Sequence, residues 1–196
     1  MKIIYSTLTI FTLFCACKNE NNNNDNTSKA VDSTNVSSIV TIPDSVHFTS
    51  ADLSNEIDLS KYGVPVLIMS PKNSRVIVDS VEHKIYVYAN KHFIIETSIE
   101  KNTKTEDYIS KLKNAAIDKN NFKDFVKLRD EVPCGFLAEY QNNILRFIVG
   151  LQGKDGNSYM FTSGTGSKFW PANVIDFSSA DLETMYVSGE SAELKP

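Results

Sequence analysis

Three cysteines, three histidines and one tryptophan leave this chain of 196 residues poor in the side chains that most often do chemistry. Cys15 and Cys17 stand almost together near the start and Cys134 stands alone. That count excludes a disulfide framework and a four-cysteine metal site. No apolar run reaches the roughly 20 residues needed to cross a bilayer as a helix. Basic residues do not exceed acidic ones: 20 Lys and Arg stand against 24 Asp and Glu, a net charge of −4. With no basic cluster, nucleic acid is excluded as a partner, and so is electrostatic attraction to an anionic lipid surface. No repeat is visible, and the chain has no nucleophile-elbow motif. Gly164 and Gly166 are not followed by the helix and lysine register of a phosphate loop. Glu96, Glu100, Asp130, Glu131 and Glu139 show no spacing that sets two carboxyls about 5–9 Å apart, as glycosidases require. These absences predict a protein that is not an enzyme and uses no cofactor.

What the chain does have begins at its first residues. Lys2 is followed by a mostly apolar run from Ile3 to Phe14, then Cys15, Ala16 and Cys17. The run is too short to span a membrane and has the length of a signal-peptide core. Phe14, Ala16 and Cys17 resemble the lipobox of bacterial lipoproteins, with a larger apolar residue three places before the cysteine and a small one just before it. Phe14 in place of the usual Leu, and Cys15 in the middle, depart mildly from the pattern. The resemblance implies removal of residues 1–16 and acylation of Cys17, hence a membrane partner reached through lipid. Two or more acyl chains anchor stably where one does not. Cys134 is then the one thiol left, read as a small buried hydrophobe rather than a nucleophile.

Residues 17–38 hold the lipidated cysteine and an Asn-rich stretch, Asn21 to Asn24 being a homopolymer. Such a segment cannot bury enough surface to offset its ordering entropy, so a disordered tether is expected. The charged residues after Cys17 loosely resemble the signals that carry lipoproteins of Bacteroidota to the cell surface. The expected location is an outer-membrane lipid anchor facing periplasm or cell surface.

Residues 39–196 are predicted to form one α+β domain, an antiparallel β-sheet with two main helices packed on it. Val64 to Met69 and Val76 to Val78 read as strands, and residues 44–60 as a peripheral loop. His83 to Ala89 and Phe93 to Ile99 alternate apolar and polar, which predicts a hairpin over Asn90 and Lys91. A two-residue turn pairs Tyr88 with Phe93, Tyr86 with Ile95, and His83 with Ser98. His83 and His92 would then lie roughly 30 Å apart along the strands. With His47 isolated in sequence, no metal site is predicted. Thr103 and Glu106 have the spacing of a capping box for a helix over residues 104–117. Residues 122–128 fit a helix turn or a strand. Phe136 to Tyr140, Ile144 to Leu151 and Tyr159 to Thr162 read as strands, with turns at Asn142–Asn143 and Lys154–Gly156. Ser178 or Ser179 opens a last helix with Leu182, Met185 and Tyr186 inward and Gly189 as its stop, and the rest is expected to fray. Phe169 and Trp170, beside Pro171, form a compact aromatic group read as a possible ligand or partner surface or as a cap on the core.

Lys61 to Pro71, the helix Tyr108 to Ile117, and the block Phe122 to Tyr140 (Phe-x-x-Phe-Val-Lys, then Glu-x-Pro-x-Gly-Phe, then Glu-Tyr) resemble lipoproteins of Bacteroidota whose domain is similar to the PsbP-like superfamily. The resemblance implies a binding or assembly role at a membrane, with a protein partner not identified by any motif. The small acidic domain also suits an immunity or inhibitor protein that caps a partner enzyme. A hydrolase is the third reading and has the least support.

Overall fold

Alternation along the strands of the C-terminal half requires cover on both faces. Leu137 points to one side of its strand and Phe136 and Ala138 to the other, and all three are buried. A sheet built this way needs a layer on each side. The computed structural model describes residues 43–164 and 177–196. Its strands are β1 (Leu53–Asp58), β2 (Val66–Pro71), β3 (Arg75–Asp79), β4 (Lys84–Asn90), β5 (Phe93–Glu100), β6 (Phe125–Val132), β7 (Gly135–Tyr140), β8 (Ile144–Gln152), β9 (Ser158–Ser163) and β10 (Glu193–Leu194). Two α-helices are described, α1 (Thr105–Ile117) and α2 (Ser179–Glu190).

The α+β class is as expected, but the strands make two antiparallel sheets rather than one. Seven run in the order β3-β4-β5-β9-β8-β7-β6, and three in the order β1-β2-β10. Residues 53–58, read as loop, pair with β2 instead: every second residue of β1 is half-buried, and the strand's neighbour supplies the missing backbone partners. The C-terminus does not fray. β10 pairs with Leu67 and Val66, and Lys195 Nζ reaches Asp58 at 2.6 Å. The ambiguous residues 122–128 resolve mostly into β6.

Each helix takes one face of the large sheet. Ile109 and Ala116 of α1 pack with Phe136, Ala138, Tyr140 and Met160. Leu182, Met185 and Tyr186 of α2 pack with Leu137, Phe147, Val149 and Phe161, which are the alternate positions of the same strands. The second cluster also takes in Leu59, Val64, Val66 and Ile68, so α2 is buried against residues of both sheets. α2 ends one residue past Gly189, close to the expected stop, and Gly189 is also packed against the sheet. A Cβ there would meet Val149 Cγ2 at 3.2 Å and Phe161 Cβ at 3.6 Å, so glycine lets the helix approach the sheet closely.

Two local expectations are corrected. α1 starts one residue later than predicted and has no capping box; Lys104 is the N-cap and makes no side-chain cap. The helix start is held from the sheet instead. Thr105 N–H donates to Gln152 Oε1 at 2.9 Å, and its hydroxyl donates to Ser158 Oγ at 2.8 Å. The β4–β5 hairpin is shifted by one from the expected register: Tyr88 pairs with Ile94 and Val87 with Ile95, with a bulge between Tyr88 and Asn90. His83 stands at positive φ in the turn before β4, not in a ladder.

Two substitutions test this packing by urea unfolding. Met185→Ala, at a fully buried side chain, lowers the unfolding free energy by about 2–5 kcal/mol. Gly189→Val overfills the helix–sheet contact and costs about 1–3 kcal/mol.

Candidate functional site

Among the described residues, a groove and a buried cluster are the places where chemistry-bearing side chains gather most closely. The first is an open groove of about 600 Å³ where the start of α1 meets the β6–β7 turn. Asn102, Lys104, Glu106, Cys134 and Gln152 are among its lining residues. Cys134 sits half-buried in the two-residue turn that Val132 and Gly135 close. Burial pushes its thiol up, and the Glu106 carboxylate adds to the shift. Cys134 is therefore protonated at neutral pH, the opposite of an activated nucleophile. No histidine lines this groove.

The second place was not legible in the sequence. His47, His92 and Asp181 converge although they lie in three distant parts of the chain. Asp181 belongs to the first turn of α2. Ser178 caps that helix: Asp181 N–H donates to Ser178 Oγ at 3.2 Å, and Ser178 N–H and Oγ–H donate back to Asp181 Oδ2 at 2.9 and 2.8 Å. The other oxygen, Oδ1, accepts from His47 Nδ1 at 2.9 Å. Asp181's side chain is wholly buried. Burial pushes its carboxyl up, but the hydrogen bonds from His47 and Ser178 outweigh this and hold it below the ordinary carboxylate range.

His92 lies at the turn of the β4–β5 hairpin. Its side chain is 10% exposed, and its Nδ1 stands 3.3 Å from Asp181 Oδ2 without making a hydrogen bond. The His47 ring lies against it, centroids 3.8 Å apart and planes tilted by 35°. His47 itself is half open to solvent. One donor atom from each of the three residues falls within 4.8 Å of the others. This corrects the expectation that His47 is isolated: the hairpin argument compared only His83 with His92, and the third histidine arrives from outside the hairpin.

The segment that carries His47 is held by a buried asparagine. Asn90 Nδ2 donates to the carbonyls of Pro43 and Val46 at 3.0 and 2.8 Å, and Asn90 Oδ1 accepts from the His92 backbone N–H at 2.9 Å. One side chain thus fixes both the incoming strap and the hairpin turn. Two more contacts secure the strap: Thr184 Oγ1 donates to the Phe48 carbonyl at 2.9 Å, and the Phe48 ring packs edge-on against Phe93. The sequence signals that bear on this site are the Ser178-x-x-Asp181 cap and the Asn90 turn. Neither says that His47 comes back to meet them.

Cys17, Phe169 and Trp170 lie outside the described residues. No family model, curated protein or solved structure matches the chain.

Two outcomes are expected here. Alkylation of Cys134 by iodoacetamide is slower at pH 7.5 than alkylation of free cysteine, and its rate keeps rising above the ordinary thiol range, because a raised pKa leaves less thiolate at neutral pH. Mass spectrometry over a pH series reads this directly. Asn90→Ala removes three hydrogen bonds and lowers the unfolding free energy by about 3 kcal/mol, with faster amide exchange over residues 43–48.

Proposed function

We propose that this chain is a lipid-anchored protein of the bacterial outer envelope, held through Cys17, whose domain binds or helps assemble another envelope protein rather than transforming a substrate. The observation that carries the reading is the order Lys2, apolar run to Phe14, Ala16, Cys17, then the Asn-rich stretch. A short apolar core followed by a small residue and a cysteine suits lipid attachment, and a polar stretch after it suits a tether. Among the described residues no helix is long and apolar enough to cross a membrane, so an anchor at Cys17 supplies what those helices do not.

We take the domain as PsbP-like. The seven-stranded antiparallel sheet covered by one helix on each face supports that likeness.

Cys17→Ser tests the anchor. In the native host the substituted protein leaves the membrane fraction and appears in the soluble fraction. If it stays with the membrane, the anchored reading is wrong.

A further inference from the structure

We propose that His47, His92 and Asp181 form a binding site for one divalent transition-metal ion of the zinc type, and that the ion pins the strap at residues 43–49 to the hairpin and to α2. The site stands independently of the lipid anchor.

The donor set is the first argument. Two imidazoles and a carboxylate are ligands that suit zinc and its neighbours, whereas calcium and magnesium take oxygen alone. The spacing is the second. Two atoms bound to a tetrahedral zinc at about 2.1 Å are about 3.4 Å apart. His92 Nδ1 is 3.3 Å from Asp181 Oδ2, close to that spacing, and one donor atom from each of the three residues lies within 4.8 Å of the others, so an inward turn of the exposed His47 ring completes the set. The third argument is a group left unsatisfied. His92 Nδ1 is buried and makes no hydrogen bond, although a buried polar atom without a partner costs about 1–3 kcal/mol. It faces a carboxylate that is itself wholly buried. A cation held by that carboxylate would give His92 Nδ1 the partner it lacks.

The surroundings are built as a metal site's outer shell is built. Ser178 orients the carboxylate through two hydrogen bonds, and Asn90 fixes the backbone at His92 and at the strap that presents His47. His47 is more than half exposed, so the ion has an entry path, and water or a partner's side chain can take its fourth position. If His47 Nδ1 becomes the ligand, the neutral ring carries its one proton on Nε2 instead, and the hydrogen bond to Asp181 Oδ1 is replaced by the shared ion. No oxidant or reductant is involved.

The test uses the full chain with Cys15, Cys17 and Cys134 all replaced by serine, so that no thiol competes for metal. Titration calorimetry with Zn²⁺ alone is expected to give one ion per chain with a dissociation constant in the micromolar range or tighter, together with a rise in the unfolding temperature. His47→Ala leaves Asp181 Oδ1 without its donor and so lowers the metal-free unfolding temperature, but the chain, still folded at the temperature of the titration, binds zinc at least tenfold more weakly. His83→Ala, at the one histidine outside the cluster, leaves zinc binding as it was. Absence of saturable binding overturns the proposal and makes the trio a proton-bonded clasp. Equal affinity in the His47→Ala chain, or loss in the His83→Ala chain, overturns it as well.

Discussion

A carboxylate with no access to water must be surrounded by donors, and Asp181 is such a group. The chain meets that requirement with the helix cap at Ser178 on one oxygen and His47 on the other. The first solution starts α2 at a defined residue. The second draws residues 43–48 back across the domain to the helix start. Because α2 packs with residues of both sheets, fixing its first turn fixes the layer on which the larger hydrophobic cluster is assembled. A hydrophobic residue at position 181 would bury more easily, but it would neither cap the helix nor hold the strap.

The large sheet imposes the other constraint. β7 and β9 bury residues on both faces, and β8 does so around Ile148 and Val149, so two helices are needed, and each must come close. The chain allows this with glycine at the contact. Gly189 lies on the helix side of one interface, and Gly150 lies on the strand side of the other, where a Cβ would meet Thr105 Cγ2 at 2.4 Å. Glycine in a helix or strand interior costs roughly 0.5–1 kcal/mol relative to alanine. Here that cost is set against dispersion contacts that a longer separation would forfeit.

Much of this was written in local pattern. The β4–β5 hairpin, β7 to β9, both helices and most turns follow from period and punctuation, since those signals act over a few residues. The failures have a common cause. The missed β1 and the paired C-terminus gain their backbone partners from β2, a neighbour that neither segment announces. The hairpin slipped by one because Asn90 uses its side chain to hold Pro43 and Val46, a contact spanning more than forty residues that forces a bulge where a plain two-residue turn was read. Gly189 marked the end of α2 to within one residue, but its close contact with Val149 and Phe161 was not legible, because the same residue serves ends and close contacts alike. The His47–His92–Asp181 cluster was invisible for the strongest form of this reason: its members are joined only by tertiary structure.

The two polar places also differ in what they leave undone. In the groove beside α1, the Thr105 N–H that would face an incoming anion is already taken by Gln152, its hydroxyl is taken by Ser158, and the thiol keeps its proton. The polar groups of Thr105 are thus bonded within the fold, so a ligand reaching for them would have to displace bonds already made. The histidine cluster is the reverse case. Ser178 and Asn90 hold its parts in place, yet one ring nitrogen remains without a hydrogen bond beside a buried negative charge. An ion bound there would give His92 Nδ1 a partner and leave the Ser178 bonds to Asp181 in place, while the ion itself takes over the link between His47 and Asp181.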